Sequence, residues 1–231
     1  MISIQSLKKA YKEVTVLDIA ELSIGQNESF GLVGNNGAGK TTLFRTILDL
    51  IRPTEGKVEI NGKNVQGNDE WKSYLGSFLD EGFLIPYLTP DEYFRFVGKL
   101  HNYSDADMKS FYQKFDELFN GEITGKDKYI SDLSKGNLKK VGIAAAFMGN
   151  PQIIMLDEPF ENLDPTSQIR VKNLLLAERK QRSITYLISS HDLNHVTEIC
   201  ERIVILEKGK VISDLKGNQN MLAELEAYFK A

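Results

Sequence analysis

The stretch Gly34-Asn35-Asn36-Gly37-Ala38-Gly39-Lys40-Thr41-Thr42 decides how this chain is read. It follows an apolar segment ending in Leu32-Val33 and precedes an amphipathic segment from Leu43 onward. Strand, glycine-rich turn and helix in that order make a complete phosphate loop of the Walker A type. Its glycines let successive backbone N–H groups converge on a polyphosphate, and a helix opening at Lys40 adds the positive end of its dipole. Lys40 then reaches the β- and γ-phosphates, while the Thr41 hydroxyl is placed for Mg²⁺. Gly34 through Thr42 are therefore candidate contacts to a nucleoside triphosphate. The helix is expected to present Leu43, Phe44, Ile47, Leu48 and Ile51 on one face and to stop at Arg52-Pro53.

A second signal lies far along the chain, where the apolar run Ile153-Ile154-Met155-Leu156 ends in Asp157-Glu158. A buried parallel strand delivers its last residues to the sheet edge where ligands bind. Asp157 is thus the candidate Mg²⁺ residue opposite the phosphate loop, and Glu158 the candidate for orienting a water for in-line attack on the γ-phosphorus. Many strands end in acidic residues. Paired with a full phosphate loop, these two read as a Walker B element.

Composition agrees with a globular enzyme. A chain of 231 residues buries roughly 70% or more of its unfolded surface, enough for one large core with an insertion. The 28 basic and 32 acidic residues give a net charge of −4, which argues against sequence-independent nucleic-acid binding. Basic clusters at Lys8-Lys9-Lys12, Lys139-Lys140 and Arg179-Lys180-Arg182 sit on separate segments and are expected to be mostly solvated faces. Cys200 is the chain's single cysteine, so no intrachain disulfide forms; it is expected to be a buried small hydrophobe on a helix. Met1 to Gln5 alternates like a strand and lacks a signal-peptide layout. The apolar run Val141 to Met148 is too short to span a bilayer. A membrane role is expected to come through a partner.

Strand-like and helix-like segments alternate as in an α/β protein with a substantially parallel sheet. Ile2–Leu7, Val14–Ile24 and Lys57–Ile60, joined by turns such as Ile60-Asn61-Gly62-Lys63, predict an antiparallel β subdomain. From about Leu79 the texture becomes helical and aromatic, with Phe111, Phe115, Leu118 and Phe119 on one face as expected of core packing. Strands return at Gln152–Leu156, Ile184–Ser189 and Ile203–Leu206, and Asn220–Ala231 reads as a closing amphipathic helix.

Three further segments bring a family resemblance. Leu133-Ser134-Lys135-Gly136-Asn137 lies before an apolar helix and the Walker B strand. Asn162-Leu163-Asp164-Pro165 follows Glu158 closely, and His191 comes just past Ser189-Ser190. In this order they resemble the signature segment, D-loop and switch histidine of the ATP-binding cassette (ABC) ATPases, and the resemblance covers nearly the whole chain. It implies an α/β P-loop fold with a mixed, largely parallel core sheet, an antiparallel β subdomain and a helical insertion. As domains it implies one cassette, with residues 1–78 and 150–231 as nucleotide-binding core and 79–149 as helical subdomain.

The same resemblance implies ATP and Mg²⁺ as ligands and Tyr11 as the aromatic stacking on adenine. It gives His191 the γ-phosphate and a link to Glu158, while His195 is expected to be a solvated or satisfied helix residue rather than a metal ligand. Ser134, with the N–H groups at Lys135 and Gly136, opens a helix and supplies a second anion-binding end. The resemblance implies that this end serves the ATP of a partner cassette in a head-to-tail dimer, to which Asn137 and Asp164 also contribute. An integral-membrane permease is the implied second partner, which places the chain peripherally on the cytoplasmic face of the membrane. Nucleic acid is not an expected partner. The rival reading is an ABC ATPase that drives assembly, as in iron–sulfur cluster building.

The sequence departs from the family pattern at three places. Asp80 stands where the Q-loop has glutamine; a carboxylate can bind Mg²⁺ or water but cannot donate as an amide does. Some exporters carry an acid there, which points toward export. Lys135 replaces a glycine and Asn137 a glutamine. The loop from Phe83 to Tyr87, beside Asp80, is the expected contact with the permease.

Overall fold

The computed structural model describes residues 1–217 and 221–230. In chain order the strands are β1 (Ile2–Tyr11), β2 (Val14–Ile24), β3 (Ser29–Val33), β4 (Glu55–Ile60), β5 (Lys63–Asn64), β6 (Leu75–Phe78), β7 (Ile153–Asp157), β8 (Thr185–Ser190), β9 (Arg202–Glu207) and β10 (Lys210–Lys216). The helices are α1 (Lys40–Ile47), α2 (Pro90–Leu100), α3 (Asp105–Phe119), α4 (Lys135–Ala146), α5 (Pro165–Gln181), α6 (Leu193–Ile199) and α7 (Met221–Lys230). The closing helix is thus present as α7, with Asn220 and Ala231 outside the described residues.

Two sheets result. One is antiparallel in the order β2-β1-β4-β5, and the other has six strands in the order β10-β9-β3-β8-β7-β6. From β9 through β6 every pairing in the second sheet is parallel, and β10 closes its edge antiparallel to β9. This is the mixed α/β core expected from the sequence. The β4–β5 and β9–β10 hairpins use two left-handed residues at the turn: Asn61 and Gly62 have φ of 51° and 78°, Lys208 and Gly209 have 47° and 78°. Two central residues at positive φ make the turn whose twist matches the flanking strands.

Period-2 alternation explains how the parallel sheet is buried on both faces. On β7, Ile153 and Met155 join the apolar cluster shared with the antiparallel sheet and α1. Ile154 and Leu156 join the other cluster, which includes α4 and the Phe94, Phe111, Phe115 and Phe119 rings. The aromatic stripe on α3 is core, as expected. Between β6 and β7 the described chain is helical, and α4 lies against β6. Among the described residues no helix is long and apolar enough to cross a membrane.

Three expectations need correction. Helix α1 ends at Ile47, not at Arg52. Asp49 takes φ of 51°, and the Leu50 and Asp49 N–H groups donate to the Arg45 and Thr46 carbonyls. That left-handed cap satisfies the last carbonyls before Pro53 is reached. Lys139 and Lys140 are buried rather than solvated, and Lys140 pairs with Glu122 at 3.2 Å. Strand β1 does not end at Leu7 but runs on to Tyr11. Cys200 is buried as expected, at the C-terminal cap of α6, and its burial pushes the thiol up to about 12.

Candidate nucleotide site

The phosphate loop joins β3 to α1, and its shape is enforced at particular atoms. Gly34 must be glycine because a Cβ there would lie 2.3 Å from the Leu206 carbonyl oxygen. Gly37 and Gly39 adopt φ of 83° and 110°, the left-handed region a side chain avoids. The loop is pinned by Ala38, whose N–H donates to the Asn35 carbonyl at 3.0 Å and whose carbonyl accepts from Gly209 at 2.9 Å. No side chain caps the N-terminus of α1. Its first N–H groups therefore have no partner within the helix, and the space beside Gly37 is open. An uncapped helix end of this kind fits an anion. A cavity of about 520 Å³ opens alongside, lined by Asn35 to Ala38, by Leu206 to Lys208, and by Tyr228 and Phe229.

Parallel pairing of β7 with β8 sets Asp157 beside Ser189. Asp157 is 4% exposed and accepts hydrogen bonds from the Thr41 hydroxyl at 2.5 Å and from the Ser189 hydroxyl. Burial pushes its carboxyl above the usual range, against the pull of those two hydroxyls. Thr41 and Asp157 are thus brought together from α1 and β7. One hydroxyl and one buried carboxylate, both hard oxygen donors, suit Mg²⁺ held largely by water and phosphate.

Glu158, at φ of 47°, turns the chain sharply after β7. Its N–H donates to Ser189 Oγ at 3.0 Å. Its carboxylate lies between two candidate residues. Oε1 is 3.2 Å from Lys40 Nζ, and Oε2 is 3.0 Å from His191 Nδ1 and accepts from the His191 N–H at 3.2 Å. Oε1 is buried and faces the Lys40 ammonium as an ion pair rather than an aligned hydrogen bond. Lys40 also donates to the Gly34 carbonyl at 2.6 Å. Lys40, Glu158 and His191 thus form one connected group.

Other sequence candidates lie on neighbouring elements. Ser134 is the N-cap of α4, accepting from the Asn137 N–H at 3.3 Å, with Lys135 exposed. Gly136 lies against the D-loop, since a Cβ there would be 3.0 Å from the Asn162 carbonyl. Asp164 caps α5 through Ser167, whose hydrogen bonds hold its carboxyl below the usual range. Tyr11 is half exposed, with Lys9 Nζ 4.7 Å from its ring centroid. Asp80 makes its hydrogen bonds with Arg45 at 3.1 Å and with the Gly82 N–H at 2.8 Å, while Thr41 and Asp157 bond to each other. His195 packs its ring on Phe160, 4.5 Å between centroids. Among the described residues no group of three or more His, Cys, Asp or Glu is placed to hold a metal.

Two site residues escape sequence reading. Ser189 bridges Asp157 and Glu158, a role legible only once β7 and β8 are known to be parallel and in register. Lys139 donates to the Glu158 carbonyl at 2.8 Å from α4.

Comparison with known proteins agrees with this geometry. A family profile described as ABC transporter matches residues 17–161, more than half of the chain. The chain is 33% identical over 213 residues to the uncharacterized ABC transporter ATP-binding protein YhaQ of Bacillus subtilis (strain 168), covering 92% of this chain and 70% of that one. It is 32% identical over 221 residues to the methionine import ATP-binding protein MetN 3 of Bacillus anthracis, covering 92% and 64%. The chain therefore spans about two thirds of the length of these relatives. Among solved structures, that of the dimeric bacterial ABC transporter cassette MJ0796 superposes with a TM-score of 0.81 at 26% identity, over 94% of this chain and 99% of that one. With the phosphate loop, the Walker B strand and the histidine held on Glu158 all in place, the chain belongs to the ABC transporter family.

Proposed function

We propose that this chain is the ATP-hydrolysing subunit of an ABC transporter, acting as one cassette whose helical part is 79–149. The observation that carries this reading is the contiguous group Lys40, Glu158 and His191 beside the Thr41–Asp157 pair. In it, Lys40 and the α1 N–H groups hold the β- and γ-phosphates, with Gly34 through Thr42 wrapping them. Thr41 and Asp157 would hold Mg²⁺, which neutralises charge on the phosphate oxygens. Asp80, released from Arg45, would reach that side through water. The Tyr11 ring face stacks on adenine. Glu158, oriented by His191, accepts a proton from water as its oxygen attacks the γ-phosphorus and the bond to the β–γ bridging oxygen breaks. Most of the rate then comes from positioning and electrostatics.

One chain leaves the far side of the triphosphate open. The capped α4 tip at Ser134, with Lys135, Gly136 and Asn137, supports a head-to-tail dimer in which each chain closes the other's site and Asp164 lies at the seam. MJ0796 is described as dimeric, and in a post-hydrolysis state bound to ADP and Pi. A permease is the second partner, which would place the chain on the cytoplasmic face of the membrane. Export as the direction rests on the carboxylate at Asp80. Import is favoured by a different observation, the names of relatives such as MetN 3. The test is to isolate the chain from detergent-solubilised membranes with what accompanies it and to assay MgATP-dependent transport in vesicles. A membrane protein with several spans and ATP-driven flux is the expected result, and the sign of the flux gives direction. Recovery with soluble assembly factors alone would replace the transporter reading.

A further inference from the structure

Lys139 has no part in the steps above, yet its ammonium touches the residue that carries them. Its side chain is 5% exposed, and Nζ donates to the Glu158 carbonyl at 2.8 Å while lying 3.8 Å from Glu81 Oε1. Glu158 is therefore gripped at both ends of its own backbone. Its N–H is held by Ser189 on β8 and its carbonyl by Lys139 on α4. That double hold matters because Glu158 sits at φ of 47°, a conformation a non-glycine residue leaves readily unless its surroundings fix it. Where the backbone points decides where the carboxylate points, and here it must meet both Lys40 and His191.

The other contact of Lys139 leads outward. Glu81 opens the short turn Glu81–Phe83, directly after Asp80, and Phe83 on that turn is exposed. A compact ammonium has three donors and no fixed fork, so it can shift between the Glu158 carbonyl and Glu81 without leaving its place on α4. We propose that Lys139 is a positioning residue for Glu158, and that Glu81 shares its ammonium so that movement of the Asp80–Phe83 turn changes how firmly Glu158 is aimed. The proposal rests on the reading of Glu158 as the group that activates water.

The test compares wild type, E158Q, K139M, K139R, E81Q and E81Q/K139M as purified full chains, measuring kcat and KM for MgATP and the equilibrium affinity for a fluorescent ATP analogue. K139M is expected to lower kcat about tenfold or more while KM and analogue affinity stay within about twofold. K139R, which keeps a cation and donors, recovers most of kcat. E81Q changes kcat in wild type and has no effect in the K139M background. The double variant removes both charges together, so Glu81 is not left facing an apolar side chain without its cation, and it shows the same kcat loss if K139M alone is unstable. Equal kcat in wild type and in E81Q/K139M overturns the proposal, as does a parallel fall in affinity and kcat. Turnover in wild type that ignores E158Q would instead overturn the reading of Glu158 on which the proposal stands.

Discussion

Lys40 Nζ lies 3.2 Å from Glu158 Oε1, so the ammonium at the heart of the phosphate loop is bound to the carboxylate proposed to activate water. Both side chains are largely buried, which keeps the pair from being screened away. A phosphate that takes this ammonium competes with Glu158, and Glu158 is thereby released to meet water and His191. Replacing Glu158 by Gln removes the competing charge. ATP affinity is expected to rise on the order of tenfold, or ~1.4 kcal/mol, while turnover falls roughly 10²- to 10⁴-fold. Equilibrium binding and steady-state hydrolysis on the same preparation measure both. Unchanged affinity would mean that Glu158 does not restrain Lys40.

Asp157 gives a pH prediction. Burial raises its carboxyl above the unfolded value of about 3.9. A group raised in the folded state contributes stability below its unfolded value and loses that contribution as pH rises through its folded value. Ionised Asp157 therefore weakens the fold at neutral pH until a cation is bound. Asp157→Asn should raise the melting temperature at pH 7 by about 2–4 °C per kcal/mol recovered. The gain should vanish as pH approaches the ordinary carboxylate range, and Mg²⁺ should no longer strengthen nucleotide binding. Thermal scans across pH, with and without Mg²⁺, record both effects.

Gly142 on α4 sets how closely that helix approaches the parallel sheet. A Cβ there would lie 2.0 Å from Phe78 Cε2, within a ring that is itself buried on β6. Gly142→Ala gains up to about 1 kcal/mol of helix propensity but forces the ring or the helix aside, an overpacking cost of about 1–3 kcal/mol. A melting temperature lowered by a few degrees is expected. Adding Phe78→Leu should return part of the loss by making room.

What the sequence made legible follows from the range of the interactions involved. The phosphate loop, the Asp157-Glu158 strand end and the Ser134 cap are each written in adjacent residues, because strand, turn and helix signals are local. The antiparallel sheet is legible in alternating segments such as Ile2–Leu7 and much of the parallel sheet in short apolar runs, but β5 and the edge strand β10 have no counterpart in that reading. Lys139 reads as solvated because its partners, Glu158 and Glu81, come from distant elements that only folding brings to α4. Ser189 carries no local signal for the same reason, since its role depends on the β7–β8 register. The early end of α1 was hidden because an aspartate, not a glycine, takes the left-handed position at Asp49.

The surface around the Glu81–Phe83 turn carries the proposed permease contact. Phe83 and Tyr87 are 53% and 73% exposed, and Phe83 borders a cavity of about 350 Å³ with Leu48, Leu50, Trp71 and Leu79. Exposed aromatics beside an apolar recess are suited to receiving an amphipathic segment. Substituting Phe83 and Tyr87 together by Asp should leave nucleotide binding by the purified chain unchanged and abolish its recovery with membranes. Retention of both membrane association and transport would remove this surface from the proposal.

Ser134 tests the dimer itself. It caps α4 through the Asn137 N–H, and it and Lys135 beside it are exposed, so the helix tip is open to solvent. If that tip completes a second chain's site, blocking it must abolish ATP-driven association and spare ATP binding within one chain. Loss of the cap alone costs about 0.5–2 kcal/mol, which lowers the melting temperature without affecting nucleotide contacts on the phosphate loop. In the E158Q background, where ATP persists, light scattering should give a dimer mass with MgATP and a monomer mass without it. Ser134→Arg in the same background should remain a monomer at saturating MgATP while binding one nucleotide per chain. A dimer that forms regardless of Ser134→Arg would mean that the chains associate through another face, and the α4 tip would then lose its assigned role.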